Sequence, residues 1–427
     1  RKIAALRLEI ARLLGYDCWA DYVLEENMAK NTETVMSFLE KLMTPSLPFA
    51  KREVQTVYEY AVAHDFREIA EKSGLPFHTL MPWDFSYWAE RYKEAEYSLN
   101  DEQLKPYFRL ENCIDAVLGL ARKLYGISFE ERTDIPVYHR DVKVYDVRDN
   151  GGRHLALFYA DFFPRSTKRG GAWMTEFRGQ RIENGVEERP LVSIVMNFSK
   201  PTENAPSLLT HDELTTFLHE FGHSLHGMFA EGRYPSLCGT NVARDFVELP
   251  SQIMENWAFE PEYLESFAKD YRTGEVIPKS LITRIVNAKN YLAGYYQVRQ
   301  LDFGELDMAW HTLKAQPEED TLDFENAALE DYRVLPHYPG TAISTSFGHI
   351  FSGGYSAGYY SYKWAEVLEA DAFALFQEKG IFDRETAESF RREILSKGDS
   401  VDPAVLYRNF RGHEPDSQAL MKKLGLV

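Results

Sequence analysis

Thr215-Thr216-Phe217-Leu218-His219-Glu220-Phe221-Gly222-His223-Ser224-Leu225-His226 is the stretch that decides how this chain is read. Two histidines four apart on a helix stand one turn above each other, so both imidazoles reach a single Zn²⁺, and Glu220 beside the first lies next to the attacking water. The chemistry expected of this HExxH pattern is hydrolysis of amide bonds. The competing account is an amphipathic helix with two incidental histidines, and the surrounding sequence has to decide between them.

The chain has 427 residues, 44% hydrophobic and 14% aromatic. That is enough to bury a large core in two or three structural units, or in one large enzyme built as two lobes. A formal net charge of -18 argues against nucleic acid or an anionic membrane as a partner, since such surfaces repel the chain as a whole. Cys18, Cys113 and Cys238 are odd in number and far apart, with neither a disulfide framework nor a CxxC pattern, which points to buried free thiols in a reducing, cytoplasmic compartment. No apolar run has the length of a membrane span. The chain begins at Arg1, already inside the amphipathic pattern Ile3, Leu6, Ile10, Leu13, Leu14. It therefore reads as the latter part of a longer protein, and a missing leader carries no weight.

Outward from the motif, residues 1–130 show apolar spacings of three and four with a break at Pro76 and Pro82, which predicts a helical region. Residues 131–427 read as the metal-binding region, with a small sheet over about 135–198. Val142 to Val147 alternates, Asn150-Gly151-Gly152 is a hairpin turn, and Leu155 to Phe162 returns as a strand. Gly171 to Met174 and Leu191 to Met196 are further expected strands. Asp212 is the expected cap of the helix carrying His219 and His223. Val247 to Glu260 and about 278–315 read as helices, Gly348 to Gly358 as a glycine-rich loop carrying His349, and Tyr359 to Val427 as mostly helical. Repeats and low-complexity tracts are not found.

Zinc in a hydrolase usually takes three protein ligands and leaves a position for water. The extended motif that supplies a third histidine needs Gly at 226 and His at 229; those positions hold His226 and Phe229, so that class is excluded. A downstream carboxylate remains. Glu248 and Glu255 lie 25 and 32 residues after His223, seven apart on one expected helix, and spacing alone does not choose between them.

Around the motif stand Gly239-Thr240-Asn241, Arg244-Asp245-Phe246-Val247-Glu248-Leu249-Pro250-Ser251-Gln252 and Gly353-Gly354-Tyr355-Ser356-Ala357-Gly358-Tyr359-Tyr360-Ser361-Tyr362. Together with His219 to His226 they resemble the thimet oligopeptidase family of zinc peptidases, and the resemblance runs along essentially the whole chain. Arg244-Asp245-Phe246, Gly239-Thr240-Asn241 and Lys168-Arg169-Gly170-Gly171-Ala172-Trp173 look most like the bacterial peptidyl-dipeptidases, which remove dipeptides from peptide C-termini. Leu249 to Trp257 also fits the oligopeptidase branch. The resemblance implies a mainly α fold with a small β-sheet, zincin-type, with two helical lobes around a deep substrate channel, the region 1–130 contributing to the channel wall. It implies His219, His223 and Glu248 as ligands of one zinc per chain. Glu255, Asp245 and His226 are then candidates to orient those ligands.

Tyr355, Tyr359 and Tyr362 recur at helical spacing, which by itself more often marks a core stripe. The resemblance gives Tyr355 and Tyr362 to the scissile carbonyl and His349 to the same substrate-contacting loop. Strand Gly171 to Met174, with Gly171 and Ala172, is expected to pair with substrate backbone, and Tyr359 to line the site. For the substrate's terminal carboxylate, Arg165, Lys168, Arg169 and Arg244 are unranked candidates. The expected reaction needs no covalent intermediate: zinc acidifies water, Glu220 takes its proton and passes it to the leaving amine, and zinc with Tyr355 and Tyr362 holds the oxyanion. Short peptides are the expected partners of a monomer or weak oligomer. Cleavage at internal bonds and a zinc-containing binding protein without turnover are the alternatives, and the presence of Glu220 argues against the last.

Overall fold

The computed structural model describes residues 1–74 and 80–427, so Pro76 lies outside the described residues. The chain forms two compact units, and both are discontinuous in sequence. One comprises Arg1–Ser98, Asn290–Trp364 and Ser417–Val427, the other Leu99–Lys289 and Ala365–Asp416. These units cut across the boundary that the sequence suggests at 130/131.

The first unit is helical. Its long helix Thr32–Ala63 packs along Ala293–His311 and against Pro82–Tyr97, where Pro82 occupies the first turn, a position that needs no backbone N–H. Gly294 allows the closest approach: a Cβ there would stand 2.8 Å from Phe49 Cβ and 2.9 Å from the Ala50 nitrogen. Val57, Ala61, Phe66, Phe85, Trp88 and Leu292 form one core cluster, and Leu306, Trp310, Phe347, Ile350 and Tyr359 another. The continuous helix expected over 278–315 is two helices, Lys279–Ala288 and Ala293–His311. Leu292 takes a left-handed conformation (φ 55°) and starts the second one, although the residue at the break is itself neither glycine nor proline.

The second unit carries the sheet. Its strands are β1 (Ser128–Glu131), β2 (Lys143–Arg148), β3 (His154–Asp161), β4 (Trp173–Arg178) and β7 (Leu191–Val195), ordered β1-β2-β3-β7-β4. The hairpin β5 (Arg181–Glu183) and β6 (Val186–Glu188) stands apart, joined by Asn184-Gly185, both at positive φ as such a turn requires. β7 is parallel to β3 and antiparallel to β4, which leaves β4 an edge strand. The β2–β3 hairpin at Asn150-Gly151-Gly152 is as expected. β1, β5 and β6 go beyond the expected strands, and β4 starts at Trp173 rather than Gly171, whose φ of 87° is incompatible with a strand.

Helix His211–Met228 packs on this sheet through Phe217 against Phe162 (5.3 Å between centroids) and Phe221 against Phe158 (5.8 Å). Its cap is Thr210, not Asp212. The Thr210 hydroxyl accepts from the Glu213 N–H at 3.1 Å while the Glu213 carboxylate accepts from the Thr210 N–H at 2.8 Å. At the far end the buried Arg189 donates to the carbonyls of Met228 (2.9 Å), Ala230 (2.9 Å) and Leu155 (2.8 Å). The expected helix over Val247 to Glu260 is shorter, Leu249–Glu255, followed by a 3₁₀ turn Asn256–Phe259. All three cysteines are buried and free, and among the described residues no helix is long and apolar enough to cross a membrane.

Candidate metal centre and tyrosine loop

His219, His223 and Glu248 converge, their donor atoms all within 4.8 Å of one another. Glu248 Oε2 lies 3.4 Å from His219 Nε2 and 3.1 Å from His223 Nε2. Ligands at about 2.0–2.1 Å around a tetrahedral zinc are about 3.3 Å apart, so two nitrogens and a carboxylate oxygen at this spacing fit such an ion. Glu248 is not inside a helix: it forms the junction between Arg244–Val247 and Leu249–Glu255. What sets its distance is Gly222, between the histidines. A Cβ at Gly222 would stand 2.1 Å from the Pro250 carbonyl oxygen and 2.6 Å from Ser251 Cα, so only glycine lets the two helix backbones touch and brings Glu248 to the imidazoles.

Each candidate ligand but one has a partner placed to orient it. His219 Nδ1 is 2.7 Å from Glu255 Oε1, a contact that would hold the ring with Nε2 turned toward Glu248 and open to a metal. Ser251, which spacing did not single out, donates its hydroxyl to Glu248 Oε2 at 2.8 Å. His223 Nδ1 is buried with no hydrogen-bond partner, so that ring is held by packing and by Glu248 at its other nitrogen. Burial opposes charge on His219, but Glu248 and Glu255 outweigh it and hold the imidazole well above its ordinary value. Burial likewise opposes charge on Glu248, and the two histidines overcome it and hold the carboxyl well below its ordinary value.

Glu220 is 7% exposed on the same helix. Burial raises its carboxyl above the ordinary value, against the pull of both imidazoles and of a hydrogen bond from the Met174 backbone. Asp245, three residues before Glu248, is fully buried. His226 is fully buried with neither ring nitrogen hydrogen-bonded, and desolvation pushes it down to about 3. It is a packed neutral ring and makes no hydrogen bond to a ligand, nor the one to a neighbour that a packed histidine normally has.

In the other unit, His349 sits on a one-turn helix, Gly348–Phe351, where the sequence suggested only loop. Tyr362 is in helix Ser361–Lys379, whereas Tyr355 and Tyr359 lie in the preceding turns, so their spacing is not that of one helix. The Tyr355 and Tyr362 rings nevertheless stack, 4.9 Å apart and 18° from parallel, with His349 5.9 Å and 6.3 Å from them. Tyr359 packs as a core ring and its hydroxyl donates to Gln300 Oε1 at 3.0 Å.

Gly171 lies in the turn before β4, its carbonyl accepting from Asn197 Nδ2 at 2.7 Å, and Ala172 follows it. Of the basic candidates, Arg165 and Lys168 both pair with the buried Asp161 (2.9 Å and 3.0 Å). Lys168 is itself enclosed, while Arg169 and Arg244 are exposed.

A helix-borne pair of histidines with a downstream glutamate, on a mainly α fold with a small mixed sheet, defines a zincin-type metallopeptidase architecture. The chain belongs to Peptidase family M3, which it matches over residues 1–426. It is 39% identical to Oligopeptidase A of Escherichia coli strain K12 over 429 residues, covering 100% of this chain and 62% of that protein. It is also 39% identical to Dipeptidyl carboxypeptidase of Salmonella typhimurium strain LT2 over 432 residues, covering 100% of this chain and 61% of the relative. The chain thus spans about three fifths of the length of these curated relatives. Among solved structures it shares its fold with the M32 carboxypeptidase from Deinococcus radiodurans R1 (TM-score 0.59, 16% identity, 99% of this chain and 73% of the other). A second is PZ peptidase A with an inhibitor (TM-score 0.56, 15% identity, 98% and 62%).

Proposed function

We propose that this chain is the metal-bearing part of a zinc peptidase that hydrolyses short peptides and releases C-terminal dipeptides. The observation that carries the reading is the convergence of His219, His223 and Glu248, with Glu220 buried beside the first ligand on the same helix. His219, His223 and Glu248 would hold one zinc per chain, which when bound would supply Lewis acidity for the hydrolysis. Glu220 accepts the water's proton at its carboxylate and delivers it to the leaving amine nitrogen, and its burial suits a group that must hold a proton between two transfers. Glu255 orients His219 and Ser251 orients Glu248.

The roles given to Tyr355 and Tyr362 as hydroxyl donors to the oxyanion, and to His349 as a substrate contact, rest on the sequence resemblance and on their packing as one ring cluster. β4, an edge strand, offers backbone N–H and C=O groups to an extended peptide, with Gly171 and Ala172 at its entry. Tyr359 serves as an apolar wall. A monomer or weak oligomer in a reducing, cytoplasmic compartment is the setting this reading takes, in line with the free cysteines.

Release of dipeptides is supported by Arg244-Asp245-Phe246 and Lys168 to Trp173 and by the relative named Dipeptidyl carboxypeptidase. A second reading, cleavage at internal bonds, is favoured by the equal identity to Oligopeptidase A. Mass spectrometry of products from one unblocked peptide and its C-terminal amide separates them. C-terminal dipeptides from the free acid and poor cleavage of the amide are expected. Equal cleavage of both, with internal fragments, moves the assignment to the second reading, and no cleavage of either by zinc-loaded protein removes both.

A further inference from the structure

One buried carboxylate in the helical unit has no part in the reaction as described, yet it grips the tyrosine loop. Asp307, on helix Ala293–His311, is fully buried. Its Oδ1 accepts from the Ala357 N–H at 2.8 Å, and its Oδ2 from the Gly358 and Tyr359 N–H groups, both at 2.8 Å. Three consecutive amides aimed at one carboxylate form an anion nest, and the left-handed turn such a nest needs is made by Ala357 at φ 52°. A non-glycine residue keeps that conformation only where its surroundings over-determine it. Here the surroundings are the Asp307 carboxylate.

The grip extends outward. His311 Nδ1 lies 2.7 Å from Asp307 Oδ1 and 2.9 Å from its carbonyl, and its Nε2 faces Arg7 Nη1 at 2.8 Å. Arg7 donates in turn to the Ile350 carbonyl at 2.6 Å, in the one-turn helix that carries His349. Trp19 Nε1 donates to Ser356 Oγ at 3.0 Å from the same side of the unit. The segment from His349 to Tyr362 is thus tied at both ends to one chain of hydrogen bonds, and the amides it grips lie between Tyr355 and Tyr362.

We propose that Asp307 is a positioning residue: with His311 and Arg7 it sets the register of the turn 355–359 and so the directions in which Tyr355 and Tyr362 present their hydroxyls. This rests on the reading of those hydroxyls as oxyanion donors. Displacing a reacting group by about an ångström typically costs ~10²-fold in rate, and Asp307→Asn, which offers the nest one acceptor oxygen in place of two, is expected to lower kcat by about that factor with little change in KM. Zinc content stays at the parent value, because no metal ligand is touched. Amide hydrogen exchange at 357–359, slow in the parent, becomes fast.

The decisive measurement is a cycle with Tyr355→Phe/Tyr362→Phe. If Asp307 acts through the hydroxyls, Asp307→Asn in that background lowers kcat by no more than about two-fold, the scatter of independent effects. The full loss recurring there, or parent-like exchange and kcat in the single variant, overturns the positioning role. Parent-like kcat in the double tyrosine variant is a different failure: it removes the tyrosine reading whatever Asp307→Asn does. Should Asp307→Asn not fold, His311→Gln leaves the three amide bonds in place and carries the same cycle at smaller amplitude.

Discussion

The metal centre and the tyrosine loop are each organised around a buried carboxylate, and the two carboxylates are satisfied in different ways. Glu248 meets two imidazole nitrogens and one hydroxyl, with the donor atoms converging on a common point. Asp307 meets three backbone N–H groups and one imidazole, each bonded directly to it. The first arrangement brings together donor atoms that could hold a metal ion, whereas the second is a carboxylate bonded directly to backbone amides. Both arrangements avoid the cost of an unpaired buried charge.

The sharpest way to break this comparison is to alter the reacting group and leave both supports alone. Glu220→Gln is expected to lower turnover by roughly 10²–10⁴-fold, the usual worth of a positioned base, with zinc retained at one per chain. His223→Ala, in contrast, should lose the metal. Zinc analysis and peptide cleavage on the same preparations check both, and near-parent activity in Glu220→Gln would sink the base assignment.

Next in size are the loop hydroxyls. At least one of Tyr355→Phe and Tyr362→Phe should lower kcat by about 10²–10³-fold, or roughly 3–4 kcal/mol, while melting temperature and zinc content hold. If both variants keep parent-like kcat, the ring cluster is core packing.

Ser251→Ala removes the hydroxyl that fixes Glu248 and should weaken zinc binding about 10–100-fold in a chelator competition, with the loop's hydrogen exchange unchanged. An unchanged zinc affinity would show that Gly222 and the helix contact suffice to aim the carboxylate.

The smallest effect is in pH. In the metal-free protein the raised His219 contributes stability that is complete below the unfolded value of about 6.5 and is lost as pH rises through its folded value. The lowered Glu248 contributes above about 4.3 and loses that as pH falls through its folded value. Both act together between these limits. Zinc needs a neutral imidazole, so the difference in melting temperature between zinc-loaded and metal-free protein should shrink as pH falls from 8 toward 5. A constant difference over that range would contradict the assignment of His219 as a ligand.

The metal helix was legible because its chemistry is local: His219, Glu220 and His223 are fixed relative to one another by helical spacing alone. Its true cap is also legible, since Thr210 and Glu213 form the Thr-x-x-Glu pattern of a capping box, although the expected cap is Asp212. Glu248 came from the resemblance. Gly222 shows why spacing could not choose it: the ligand's place depends on a backbone contact with Pro250 that no periodicity reports. β1 is a short, largely exposed edge segment, Ser-Phe-Glu-Glu, without the apolar alternation that marks a strand. The break before Ala293 depends on Leu292 adopting a conformation that leucine rarely takes. Asp307 is the clearest case of a residue beyond local reading, an acid in the middle of a helix whose partners lie 50 to 52 residues away.

Arg189 has a consequence for how the ion would come and go. Its three carbonyl contacts join the end of the metal helix to β3 through Leu155, and the capping box closes the other end, so neither terminus is free to fray. Opening the end of the helix therefore means breaking its ties to the sheet as well. Metal exchange is left with the route through the folded site, one ligand released at a time, and should be slow and insensitive to mild denaturant.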